Sequence, residues 1–96
     1  MFRITKVFEN DLTVLFKIEG KVTDTCEPAW KRELRTLTRS HPKQIIVDLC
    51  ELAFLTNRAV QNLTEQISDN FYLLNCPTML SNSLSASGLS AQILGS

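Results

Sequence analysis

Gln44-Ile45-Ile46-Val47-Asp48-Leu49-Cys50-Glu51-Leu52-Ala53-Phe54-Leu55-Thr56-Asn57-Arg58-Ala59-Val60 contains a strand, a connector and a helix start in seventeen consecutive residues. Its opening is an apolar run rich in β-branched side chains, Ile45, Ile46, Val47 and Leu49, the pattern of a strand buried on both faces of a parallel sheet. A short connector with Leu52, Phe54 and Leu55 follows. Thr56-Asn57 then offers a helix cap just ahead of Val60, Leu63 and Ile67, which recur at helical spacing. A loop at the carboxyl end of a central strand, running into a helix N-terminus, is a common place for an α/β domain to meet a partner.

Working outward, the 96 residues suffice for one small domain spanning 1–96, which would bury roughly two-thirds of its unfolded surface. With 44% hydrophobic and 21% charged residues the composition is that of an ordinary globular protein. Ten basic side chains balance ten acidic ones, so no global field favours nucleic acid or anionic lipid. Charge is nonetheless uneven. Lys31, Arg32, Arg35, Arg39 and Lys43 crowd one segment, and residues 70–96 carry no charged side chain. No apolar run approaches the roughly 18 residues of a membrane-spanning helix, so no direct membrane insertion is expected. The first residues alternate as a strand does and lack the shape of a secretory leader. Cys26, Cys50 and Cys76 are widely spaced, which predicts buried, reduced thiols rather than a redox pair or metal site.

Phe2 to Phe8 reads as a first strand, and Glu9-Asn10-Asp11 as a turn whose residues tolerate left-handed backbone. Leu12, Val14, Phe16 and Ile18 alternate with Thr13, Lys17 and Glu19, giving a second, half-buried strand that Gly20 ends and an antiparallel hairpin. Thr25 as N-cap, with Glu27 and Pro28 in the first turn, opens a helix whose apolar stripe is Trp30, Leu34 and Leu37. Lys31, Arg32, Arg35 and Arg39 lie off that stripe. They read as a solvated face, or as a contact for an acidic protein, and not as a nucleic-acid site, since no aromatic residues interleave them. Ser40-His41-Pro42 stops the helix, and His41 is read as a turn residue. The second helix runs from about Thr56 to Ser68, with Asp69-Asn70 closing it, and Phe71 to Leu74 is another strand. Asn75-Cys76-Pro77 starts a third helix with Met79, Leu80 and Leu84 as its apolar face, weakened by its serines. Gly88 ends it in a left-handed conformation, with Leu89 reaching back to Leu84, and Ile93-Leu94 is a remnant strand or tail contact. The order β-β-α-β-α-β-α predicts a mostly parallel sheet of about four strands, an N-terminal hairpin and helices packed on the sheet.

With these residues in this order, the chain resembles the STAS domain, named for sulphate transporters and anti-sigma factor antagonists. Leu15 to Trp30 is similar to the family's strand, turn and first helix, and Ile45 to Leu55 to its Val-Val-Leu-Asp-Leu-Ser-x-Val-x-Phe-Ile segment. Leu74 to Pro77 and Ser87-Gly88-Leu89 resemble its last strand-to-helix junction and helix end. The resemblance implies a bacterial, cytoplasmic, non-enzymatic regulatory module that binds proteins and needs no cofactor. In such antagonists a Ser within Asp-Ser-Ser-Gly, ahead of the second helix, is phosphorylated by a serine kinase of the anti-sigma type, which controls the partner held. Here Thr56-Asn57-Arg58-Ala59 stands in that place, so Asn57, lacking a hydroxyl, replaces the phosphorylated Ser. Thr56 has a hydroxyl that a kinase can use in principle, but N-capping is its plainer role. Arg58, a cation at the positive end of a helix, hints at an anionic or acidic partner. Between Thr56 and Pro77 the chain is about two helical turns shorter than typical members, and the Gly-rich turn before the last strand is missing.

The partner-binding residues implied are therefore Thr56, Asn57 and Arg58. The partner is an anti-sigma factor or serine kinase of that type, or alternatively the other subunits of a lipid-transport ATPase complex. A rival reading, a thiol-dependent enzyme using Cys50 with His41 as base, conflicts with geometry. The two flank opposite ends of a strand, and about seven residues at about 3.3 Å each set them some 20 Å apart.

Overall fold

The computed structural model describes residues 1–40 and 43–94, so His41 and Pro42 lie outside the described residues. Strands β1 (Phe2–Glu9) and β2 (Thr13–Val22) form the expected hairpin. Asn10 makes its turn through its side chain rather than by left-handed backbone: Oδ1 accepts the amides of Leu12 and Thr13 at 2.9 and 2.8 Å. Helix α1 spans Glu27–Ser40, followed by β3 (Gln44–Asp48), β4 (Leu52–Leu55), α2 (Asn57–Gln66), β5 (Phe71–Leu74), α3 (Thr78–Ala86) and β6 (Ile93–Leu94).

These strands form one mixed, mostly parallel six-stranded sheet in the order β1-β2-β3-β5-β6, with β4 pairing β2 off that path. Leu52–Leu55, expected as a connector, is thus a strand, and Ile93–Leu94, expected as a remnant strand or tail contact, is the strand. Leu52–Leu55 becomes β4 because β2 outruns β3: Thr13–Lys17 pairs with β3, and Gly20–Val22 is left to pair with β4. Gly20 therefore does not end β2. It takes φ +95° where the strand changes partner, donating to the Glu51 carbonyl at 3.2 Å, while Lys21 donates to Met1 O at 2.8 Å.

Register puts Val14, Ile45 and Phe71 side by side, and likewise Phe16, Val47 and Leu73, all buried on one face of the sheet. Onto that face α1 packs Trp30, Leu34 and Leu37, α2 packs Ala59, Val60 and Leu63, and α3 packs Leu80 and Leu84. The opposite face carries Leu15, Ile46, Tyr72 and Leu74, none fully buried. β3 is thus covered on one face, not two, because its burial alternates along the strand.

Smaller departures have local causes. Leu12 lies in the hairpin turn and is 75% exposed instead of continuing the buried row. Thr25 is not the cap of α1: a 3-10 turn over Asp24–Cys26 precedes the helix, and the Thr23 and Thr25 hydroxyls bond each other at 3.0 Å. α2 ends at Gln66, before Ser68, because Ile67 turns to extended backbone with ψ 130°. α3 starts at Thr78 with Pro77 as cap, and Met79 falls outside its buried pair. Its end is as expected: Gly88 has φ +78°, and the Leu89 amide donates to Leu84 O at 2.8 Å in a Schellman arrangement. The three thiols are free and none is fully buried, Cys50 being exposed. Hydrogen bonds from Thr23 hold the Cys26 thiol below the ordinary range, whereas burial pushes Cys76 up.

Two outcomes test this framework. A Cβ on Gly20 would lie 2.4 Å from the Met1 carbonyl oxygen, which is already held by Lys21. Gly20→Ala should lower unfolding free energy in urea by about 1–3 kcal/mol, and Gly88→Ala, open to solvent, by about 1 kcal/mol. Equal losses would show that the close approach carries no cost. The second outcome concerns Glu9, which accepts from Lys43 at 2.6 Å and Lys6 at 2.9 Å; these bonds hold its carboxyl down to about 2 from 4.5. A depressed carboxyl contributes stability that is full above its unfolded value and is lost as pH falls through the folded one. The melting temperatures of wild type and Glu9→Gln should therefore differ at about pH 6 and converge as pH falls toward about 2.

Candidate functional site

The N-terminus of α2 is placed by three neighbours. From β2, the Val22 carbonyl accepts the Thr56 amide at 3.2 Å, fixing where the chain leaves β4. From α1, the buried Trp30 indole N–H donates to Ala59 O at 3.1 Å, inside the first turn of α2. Thr56 itself has extended backbone (φ −70°, ψ 162°), and its Oγ1 accepts the Ala59 amide at 3.2 Å. The hydroxyl is thus engaged as an N-cap, satisfying an amide that the helix cannot.

Asn57 and Arg58 follow on the exposed side of this turn. The Asn57 carboxamide bonds none of the described residues. Arg58, 70% exposed, reaches Glu27 Oε2 at 3.4 Å, and the other Glu27 oxygen accepts from buried Asn62 at 3.4 Å. A cation at the start of α2 opposes the helix dipole, and Glu27, the first residue of α1, offsets it locally. So exposed a pair contributes little to stability; its effect is to orient the guanidinium.

The structure therefore brings Thr56, Asn57 and Arg58 together at one helix end, the cap half-buried and the other two facing out. They border an open groove of about 720 Å³ whose apolar walls are Phe54 and Met79, 50% and 54% exposed. The sequence places Phe54 in an apolar connector and Met79 on the apolar face of α3, and the structure instead leaves both half-exposed. Reading Leu52–Leu55 as a strand would have exposed the signal, since Leu55 points inward and its neighbour Phe54 must point out. From Asn57 and Met79 a second groove runs between α2 and α3, past Val60, Gln61 and Thr64 to Ser83, and among the described residues Glu65 is its one charged lining side chain.

Cys50 stands apart, on the turn after β3, where its amide donates to Asp48 Oδ1 at 2.9 Å. Among the described residues no group of three His, Cys, Asp or Glu side chains is placed to hold a metal ion, and no helix is long and apolar enough to cross a membrane.

A hairpin-led, mostly parallel sheet with three helices on one face and a capped helix start at its carboxyl end is the STAS fold, and this chain has it. Solved structures it resembles include anti-sigma factor antagonists. SpoIIAA in its unphosphorylated form superposes with a TM-score of 0.63 at 17% identity, over 96% of this chain and 86% of that one. An antagonist from Mycobacterium paratuberculosis gives 0.68 at 15% identity, over 96% and 84%. The Bacillus cell fate determinant SpoIIAA in its phosphorylated form gives 0.63 at 16%, over 96% and 89%. No protein-family model and no curated protein sequence matches the chain.

If Thr56 acts as the cap, Thr56→Ala should cost about 1 kcal/mol in urea denaturation, while Thr56→Ser and Thr56→Asp retain most of it. An equal loss in all three would remove the capping role.

Proposed function

We propose that these 96 residues act as one non-enzymatic, protein-binding regulatory module of a bacterial cytoplasm, of the anti-sigma factor antagonist kind. Its contact surface centres on Thr56, Asn57 and Arg58. The observation that carries this reading is the composition of the helix end: an exposed amide and a guanidinium set between the half-exposed Phe54 and Met79. Apolar anchors beside a polar, hydrogen-bonding rim are what a protein partner uses. With Asn57 at the position of the phosphorylated Ser and the Thr56 hydroxyl engaged in the cap, the module holds its partner without a phosphate switch there. The partner is an anti-sigma factor or a serine kinase of that type.

A second reading rests on the groove between α2 and α3. Its walls are nearly uncharged, and charge depletion suits the centre of a lasting interface, as with the other subunits of a lipid-transport ATPase.

Affinity capture from the native cells, run with wild type, Asn57→Asp, Arg58→Glu and Phe54→Asp, tests both. Capture of a kinase-type anti-sigma factor, lost with Arg58→Glu and Phe54→Asp while their melting temperatures hold, is the expected result. Capture of a transporter permease or ATPase would favour the second reading. Variants that retain every partner would show that the helix end is not the contact surface.

A further inference from the structure

A second surface lies on α1, away from the start of α2. Its outer side carries Lys31, Arg32, Arg35 and Arg39, all exposed, lining with Pro28 and Thr36 a shallow groove of about 440 Å³. At 3.6 residues per turn these cations fall in one stripe opposite the buried Trp30, Leu34 and Leu37. Among the described residues none of the four forms an ion pair. Glu27, one turn before Lys31, is turned to Arg58 and Asn62, and Glu33 faces the groove beside Phe2 and Ile4 on the other flank.

The arrangement works against the helix that bears it. Lys31 and Arg35, and again Arg35 and Arg39, are like charges at i and i+4, which destabilise an α-helix, and only Arg39, in the last turn, is favoured by the helix dipole. Folding of this chain does not call for such a stripe, because the core is made by the opposite face.

We propose that this stripe docks an acidic protein segment whose carboxylates recur about one helical turn apart, matching the roughly 6 Å steps between Lys31, Arg35 and Arg39. Planar guanidinium groups pair with carboxylates through two parallel hydrogen bonds. The surroundings disfavour phosphate polymers: no aromatic side chain lines the groove for a base to stack on, and the net charge of the chain is zero. They disfavour a lipid surface as well, since the apolar stripe of α1 is buried in the core and unavailable for insertion. The proposal stands independently of the surface at the start of α2.

The test is fluorescence anisotropy with a labelled helical peptide carrying Glu at every fourth position. A permuted peptide of the same composition, a single-stranded oligouridylate and vesicles of phosphatidylcholine with phosphatidylglycerol serve as comparisons. The phased peptide should bind wild type about tenfold more tightly than the other three probes, and Arg35→Glu should lose about tenfold. The same substitution turns two repulsive i, i+4 pairs into attractive ones, so its melting temperature should rise by about 4 °C. Arg32→Gln, which removes only the like-charge i, i+3 pair with Arg35, should weaken the peptide with its melting temperature unchanged or slightly raised. Equal binding of phased and permuted peptides, tighter binding of oligouridylate or vesicles, unweakened binding by both variants, or a melting temperature lowered by Arg35→Glu would each overturn the proposal.

Discussion

The indole of Trp30 joins three elements of this fold, α1, α2 and β1. It is fully buried, its ring meets Phe2 of β1 edge-on at 5.4 Å, and its N–H is spent on the Ala59 carbonyl of α2. A buried indole donor must find an acceptor, and one acceptor at one place is a stronger constraint than apolar contact, which tolerates sliding. That bond sets how far along α1 the first turn of α2 lies and how it is rotated. Ala59 faces inward, and Asn57 and Arg58, two and one residues earlier, are turned to solvent. The exposed surface at the helix end is in this sense a consequence of the α1–α2 contact and not of its own loop.

Periodicity made most of this legible. The alternation of Val14, Phe16 and Ile18 and the Trp30, Leu34, Leu37 stripe are each set by which side chains must leave water, and each was found where the pattern put it; the run at Ile45 is the expected strand, buried on one face only. Local backbone chemistry was legible too where one side chain or one glycine decides it, as with the Thr56 cap and the Gly88 helix end. What escaped was decided by partners distant in sequence. Leu52–Leu55 carries no strong alternation, and it is a strand because β2 offers unpaired backbone beyond the end of β3. Gly20 reads locally as a terminator, yet it marks an exchange of strand partners and not an end. Likewise, the half-exposure of Phe54 and Met79 follows from how β4 and α3 converge on the start of α2, which no local window contains.

Glu27 links the two surfaces of this molecule. On an isolated helix, a Glu four residues before Lys31 would pair with it and begin to neutralise the stripe. Here the α1–α2 contact brings Arg58 and Asn62 within 3.4 Å of its two oxygens, and the carboxylate is committed across the helix interface. The pair orients Arg58 at the start of α2 and, by the same geometry, leaves Lys31 without its helical neighbour. A chain with equal numbers of acids and bases can therefore present a locally basic face, because its acids are held elsewhere: Glu27 between helices, and Glu9 between Lys6 and Lys43 at the far end of the hairpin. Net charge describes the field at a distance, whereas the short-range pattern that a partner meets is set by which carboxylates the fold has already engaged.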